Sequence, residues 1–459
     1  MSSPGLVWFR RDLRLEDNPA WAAATASHAE VVALFVVDPR LVASAGPFRR
    51  AQLAADLAAL DGALTAHGGR LLVRHGDPAV RVVSEARRVA AEAVYWNADV
   101  SPWSVRRDEQ VRAALEPHLA VSTHWGTLVL PPGSVQTANG AVPQVFGAFH
   151  RRWRSTEWDP WPEPADARVA DDPGEGIDDL VDTRVPAPRV GGEAAAHRAL
   201  ERFLDGPVDR YRNRRDAVAS HGTSDLSIHL KFGTISPRRV VCTIGGESDD
   251  GAAFVRQIAW RDWFAHLLAE HPSLTHAAMR PAYDDLAWRN DPAEFDAWRA
   301  GRTGFPIVDA GLRELVATGS MHNRVRMIAA SFLVKDLLVD WRLGERHFRH
   351  WLTDGDVAQN VGNWQWVAGT GPDAAPYFRV FNPVTQSRTH DPSGRYLRRW
   401  VPELSALSDE AIHAPWLLGP VELAAAGVTL GVDYPWPIVD HAAARRRALE
   451  AYRAAREPR

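Results

Sequence analysis

One cysteine, Cys242, stands in a chain of 459 residues. That excludes an internal disulfide framework and any cysteine-based zinc cluster, and it suits a reducing compartment. Lysine is nearly absent: Lys231 and Lys335 are the only two, so almost all positive charge is arginine. Genome composition explains that bias more simply than function does. No window approaches the roughly 20 consecutive apolar residues of a membrane helix. The N-terminal stretch MSSPGLVWFRRDLR carries no apolar run of signal-peptide length, because Arg10, Arg11 and Asp12 interrupt it at once. No cluster of metal-ligating residues is evident. The expectation is a soluble, cytoplasmic protein with no metal centre, and a monomer for want of an obvious association surface.

What is present is more specific. Nineteen tryptophans exceed ordinary usage several-fold, although large cores do absorb aromatics. Net charge is only -4, which does not by itself suggest a polyanionic partner. The distribution does: residues 321–400 hold eleven Arg and Lys against seven Asp and Glu. A basic patch on an acidic chain is the footprint of a confined nucleic-acid face, and solvated charge would give the same count.

The first 125 residues alternate strand and helix. Strands are expected at Gly5–Phe9, Val31–Val37, Arg70–Val73, Ala93–Trp96 and Ala120–His124. Helices fall between them, at Pro19–Ser27, Arg49–His67 (ended by Gly68-Gly69) and from the cap Asp77 to Ala91. Such alternation implies a five-stranded parallel, doubly wound sheet, which binds ligands at its strand ends. From Pro131 to Gly192 the pattern gives way to Pro, Asp and Gly, read as a long surface connection. After Glu193 the period is helical nearly throughout: Ala194–Leu204, Ala252–Glu270, Phe295–Ala300, Pro306–Thr318, Asn323–Leu338, Gly344–Leu352 and His441–Arg456. The domains are therefore expected at residues 1–130 and 193–459, with a linker at 131–192.

Several polar groups recur at helical spacing. Thr223, Ser224 and Ser227 precede helical sequence, where hydroxyls and free N–H groups can hold a pyrophosphate; an ordinary helix cap uses the same residues. Gln257, Trp260 and Arg261 share one helix face, as do Asn323, Arg326 and Met327, and Asp356, Asn360 and Trp364. Apolar cores tolerate buried Arg and Asp only when paired.

Four motif groups carry a family resemblance. They are Trp8–Asn18 (WFRRDLRLEDN), Gly222–Ser227 with Phe232–Pro237, Phe305–Ala310 with Met321–Met327, and Asp354–Trp366 (DGDVAQNVGNWQW). Together, in order and over essentially the whole chain, they resemble the DNA photolyase/cryptochrome family, most of all bacterial class I cyclobutane-dimer photolyases. The resemblance implies an α/β domain joined by a long loop to an all-α domain that binds flavin-adenine dinucleotide (FAD). It implies FAD contacts at Tyr211, Thr223, Ser224, Leu226, Ser227, Arg261, Asn323, Arg326, Asp354, Asp356 and Asn360, with Arg326 paired to Asp354 and Asn360 facing the flavin N5. Trp364, Trp341 and Trp288 match the family's electron-transfer chain, although core packing is the commoner use of each alone. Trp260, Trp366, Met327 and Asn323 match its lesion pocket, where a damaged pyrimidine dimer is taken out of the stack, as the class does. Arg215, Arg324 and Arg379 match positions that hold backbone phosphates, and each is equally an ordinary solvated arginine.

Two departures bear on the substrate. Gln257 stands where cyclobutane-dimer enzymes usually carry Glu, and Ser320 replaces a common Trp. Gln is typical of the (6-4) branch, but Asn323 stands where that branch expects His. In the first domain Arg49 and Asp99 resemble an antenna site for 8-hydroxy-deazaflavin. Methenyltetrahydrofolate fits less well, since Trp103-Ser104 replaces its Asn-Glu pair; a flavin or an empty site is the alternative. The leading expectation is light-driven repair of cyclobutane pyrimidine dimers in UV-damaged DNA, with Gln257 and Asn360 among the catalytic groups beside the tryptophans. The alternatives are (6-4) repair, a light-independent electron-transfer flavoprotein and a cryptochrome-like photoreceptor. The last is disfavoured by a chain that ends at Arg459 without a long extension.

Overall fold

The computed structural model describes residues 3–116, 118–172, 174–181, 185–220, 222–373 and 379–456. They form two compact units: Met1–Arg212, Thr223–Pro272 and Thr353–Ala358 in the first, and Asn213–Gly222, Ser273–Leu352 and Gln359–Arg459 in the second.

The first unit begins with β1 (Gly5–Phe9), α1 (Pro19–Ser27), β2 (Glu30–Val37), α2 (Pro39–Ser44), α3 (Pro47–Ala66) and β3 (Leu71–His75). It continues with α4 (Pro78–Arg88), β4 (Ala93–Asn97), α5 (Pro102–Leu115) and β5 (Ala120–His124). Four of these helices start alike: Asn18, Asp38, Asp77 and Ser101 each accept a first-turn N–H, and each precedes a proline. The side chain satisfies an orphan donor and the proline has no N–H to orphan. The strands are parallel in the order β3-β2-β1-β4-β5. Alternate residues go to opposite faces: Val7, Phe9, Ala33 and Phe35 into one core, Leu6, Trp8, Val32 and Leu34 into another. Helices therefore cover both faces, as the strand–helix alternation implies.

The connection is more structured than its composition suggests. It contains α6 (Phe146–Ser155) and a two-residue β6 (Arg168–Val169) that pairs with the start of β2 as a sixth strand. Proline and glycine on both sides hide α6, and two residues are too few to show a period. Beyond it the elements that follow are helices: α7 (Glu193–Leu204), α8 (Tyr211–Arg214), α9 (Ser227–Phe232), α10 (Pro237–Ile244) and α11 (Asp249–Glu270). The second unit adds α12 (Pro292–Arg299), α13 (Pro306–Thr318), α14 (Asn323–Ser331) and α15 (Trp341–Trp351). Then come α16 (Val357–Ala368, entering from the first unit), α17 (Pro383–His390), α18 (Arg395–Trp400), α19 (Pro420–Ala425) and α20 (His441–Ala454). The helix expected over 323–338 stops at Ser331 and continues as a π-helical turn, Phe332–Asp336. No described helix is long and apolar enough to cross a membrane.

Candidate flavin and DNA site

The candidate residues fall in both units. In the first unit, β1 and β4 lie at the point where the strand order reverses, the usual ligand position of a doubly wound sheet. Arg10, just past β1, donates to Asp108 and to the Asn97 carbonyl. Arg107 donates to the same Asp108 oxygen at 3.0 and 2.7 Å and lies between the Trp8 and Trp103 rings, 4.7 and 5.0 Å away. Asp99 accepts from Arg11 at 3.2 Å and from the Ser104 hydroxyl at 3.0 Å. Arg49 donates to the Ser44 carbonyl at 3.3 Å.

Arg11 also donates to Asp356, which is buried at 8% exposure in the loop before α16. One guanidinium thus joins the strand-end carboxylate Asp99 to a carboxylate of the flavin motif. Burial opposes the charge on Arg11, but Asp356 and Asp99 outweigh it and raise its pKa. Burial would raise Asp99, and Arg11 with Arg10 holds it well below the usual carboxylate range. Burial and Arg11 push the Lys231 amine down to about 7, against the pull of Asp356; Arg49 adds to the push and Asp99 to the pull. Neither Arg11 nor Lys231 draws attention by spacing; Arg11 is legible only inside the WFRRDLR motif.

The polar turn before α9 has the donor chemistry of a pyrophosphate site. Thr223 and Ser227 are exposed, Leu226 is buried, and the Ser224 hydroxyl accepts the Leu226 N–H at 3.3 Å, with Asp225 at φ 56° closing the turn. Hydroxyls and first-turn N–H groups are thus presented together, and they suit the diphosphate of a dinucleotide. Tyr211 is buried edge-on to Phe203 and Phe254. Arg261 donates to the carbonyls of Thr127 at 2.5 Å and Leu230 at 3.1 Å, so it ties α11 to the end of α9.

α11 is anchored by Asp262, fully buried, whose carboxylate accepts the N–H groups of Val129 and Leu130 and the Trp153 indole N–H at 2.9 Å. Two residues earlier Trp260 is half-buried, and Phe146 lies flat on one of its faces, 3.8 Å between centroids at 14°. The Gln257 amide donates to the Ala253 carbonyl at 3.3 Å on its own helix. Glu16, Glu193 and His197 bring three ligand-type atoms within 4.8 Å, a grouping the sequence does not reveal. The Glu193 carboxylate there is occupied by the Leu15 and Glu16 N–H groups.

In the second unit, the Asn360 amide donates to both the carbonyl and the carboxylate of Glu345, each at 2.9 Å. With its nitrogen committed, the carboxamide presents its oxygen elsewhere. Trp364 packs on α15 at Gly344, where a Cβ would sit 2.2 Å from its ring. Trp341 begins that helix one turn earlier, 1% exposed, with Arg342 over its ring at 4.9 Å. Trp288 is partly exposed and meets the Tyr452 ring edge-on at 6.3 Å. Exposed Asn323 donates to the Met327 sulfur at 3.7 Å, and the Arg326 Nε to the Met321 carbonyl at 2.7 Å. Arg324 is held by both oxygens of Asp216, at 3.2 and 2.7 Å, so it is not the free cation its position suggests. Arg379 is exposed; Arg215 and Trp366 are partly buried. Asp354 lies in the first unit, partly buried, two residues before Asp356.

Residues 5–165 match the family described as DNA photolyase, and residues 254–454 match the FAD binding domain of DNA photolyase. A deoxyribodipyrimidine photo-lyase of Streptomyces griseus is 44% identical, over 97% of this chain and 98% of its own. That of Agrobacterium fabrum is 40% identical over 99% of both. The crystal structure of a bacterial class III photolyase from Agrobacterium tumefaciens superposes with a TM-score of 0.93 at 38% identity, covering 100% of this chain and 98% of that one. A Synechocystis cryptochrome gives 0.91 at 30% identity, covering 98% and 100%. Paired carboxylates, a polar turn, an oriented carboxamide and buried tryptophans thus sit in a chain matched end to end by these proteins, and the chain belongs to the DNA photolyase family.

Proposed function

We propose that the protein is a light-driven deoxyribodipyrimidine photo-lyase that takes a cyclobutane pyrimidine dimer out of UV-damaged DNA and splits it. The observation that carries this is Trp260: a half-buried indole backed by Phe146 is a flat platform on which an extruded base can stack. Reduced FAD, when bound, supplies blue-light absorption and the single electron that opens the ring. The chain's own residues do the rest. Tyr211, Thr223, Ser224, Leu226 and Ser227 bind the dinucleotide, with Arg261 holding α9 in place. Asp354, Asp356, Arg326 and Asn360, the last oriented by Glu345, would hold the flavin ring. Trp364, Trp341 and Trp288 pass electrons inward from the surface. Trp260, Trp366, Met327, Asn323 and Gln257 line the lesion pocket, and Arg215, Arg324 and Arg379 face the DNA backbone, Arg324 with its charge shared by Asp216.

The same reading divides the chain at residues 1–130 and 193–459 and takes a monomeric, cytoplasmic enzyme. Asp99 and Arg49 would hold the second chromophore, 8-hydroxy-deazaflavin before methenyltetrahydrofolate. The cryptochrome match favours a photoreceptor as the second reading, and Gln257 favours (6-4) repair as the third. Photoreduced protein mixed with an oligonucleotide carrying a thymine dimer, under blue light, should restore the absorbance of intact thymine. No recovery on that substrate or on a (6-4) oligonucleotide would leave the photoreceptor.

A further inference from the structure

α6 carries His150, Arg151, Arg152 and Arg154 and no acidic residue. Phe146, Phe149 and Trp153 form its buried face, so Arg151 and Arg154 point to solvent. Basic residues in a last turn complement the helix dipole, which accounts for Arg152 and Arg154 but not for Arg151. Nor does it account for Arg256, exposed on α11 with its guanidinium 5.0 Å from the Phe146 ring centre. Burial, then Arg256, then Arg154 push the His150 imidazole down to about 4, so both cations bear on one neutral ring. Several other arginines of this unit are paired: Arg70 with Asp61, Arg74 with Glu85, Arg112 with Glu116. Among the described residues no ion pair holds Arg151, Arg154 or Arg256.

The patch also has a fixed relation to Trp260. Phe146 is the first residue of α6 and 1% exposed, locked flat on that indole. At 1.5 Å per residue, Arg151 and Arg154 lie roughly 8 and 12 Å along the helix from the stack. That is about two to four nucleotides of one strand at 3.4 Å each.

We propose that Arg151, Arg154 and Arg256 form a contact for the DNA phosphate backbone on the first unit, set in register with the extruded base by the Phe146–Trp260 stack. The inference rests on the photo-lyase reading, and the partner it fits is a nucleic-acid strand continuous with the lesion. The test is fluorescence anisotropy of wild type and an Arg151→Gln/Arg154→Gln/Arg256→Gln variant on dimer-containing and undamaged duplexes, titrated with KCl. Each phosphate contact contributes about 0.9 to the slope of log K against log salt. The triple variant should therefore flatten the slope by about 2 to 3 on both duplexes, and the corresponding triple Lys variant should restore it. An unchanged slope in the Gln variant overturns the proposal, as does a Lys variant no steeper than the Gln one. Failure of wild type to prefer the dimer duplex would instead count against the photo-lyase reading.

Discussion

Glu345 and Gly344 show how much of the site is set by residues with no chemistry of their own on display. Glu345 fixes the Asn360 amide, and Gly344 makes room for Trp364 one turn from Trp341. A methyl at 344 would collide with the indole, so Gly344→Ala should cost roughly 1–3 kcal/mol. It should also slow light-driven reduction of oxidised flavin, read from urea midpoints and from bleaching of the oxidised flavin absorbance. Stability loss with unchanged photoreduction would separate Trp364 from the electron route. Gln257 spends its amide hydrogen on its own helix. A carboxylic acid there would be free to turn toward the lesion, so Gln257→Glu should split dimers at an equal or faster rate; a slower rate would show an amide adapted to another substrate. The motif residues were legible as a set because their order and spacing survive in the sequence. The Arg11–Asp356 pair and the Phe146–Trp260 stack were not, since contacts between positions 11 and 356 and between 146 and 260 leave no local period.

At the level of elements, boundaries were readable where capping chemistry punctuates the chain. The cap–proline starts of α1 and α4 and the left-handed Gly319 after α13 mark helix ends within a residue or two of the expected places. The π-helical turn was not readable, because Phe332, Leu333 and Val334 are all buried and a fully apolar run carries no phase. Nor was the anchoring of α11: Asp262 looks like one more helical acid, yet it binds the backbone of Val129 and Leu130 and the Trp153 indole. Asp262→Ala would orphan three buried donors, each worth about 1–3 kcal/mol. We expect a loss on the order of 3 kcal/mol or more in chemical unfolding, with weakened dimer binding because Trp260 sits two residues earlier. Full dimer affinity in a destabilised variant would argue against the platform role of Trp260.

Across the whole molecule the two lysines shape the pH behaviour above about 7. Burial and Arg11 bring Lys231 to about 7, and burial alone brings Lys335 to about 7, from an ordinary 10.5. Between those values the unfolded chain binds protons that the folded chain does not, so stability rises with pH from about 7 toward 10. Buried Tyr396, Tyr434 and Tyr452, raised by burial, reverse the trend above about 10, because only the unfolded chain then releases their protons. Urea midpoints should therefore be higher at pH 9 than at pH 7, with a smaller difference in Lys335→Met; an equal difference would remove Lys335 from the account. With both amines withdrawn in this way, the outward positive charge is guanidinium, which keeps its proton far into alkali. Such a surface is a permanent cation: the salt dependence of polyanion binding should be the same at pH 7 and pH 10, where a lysine-rich surface would already be losing its hold.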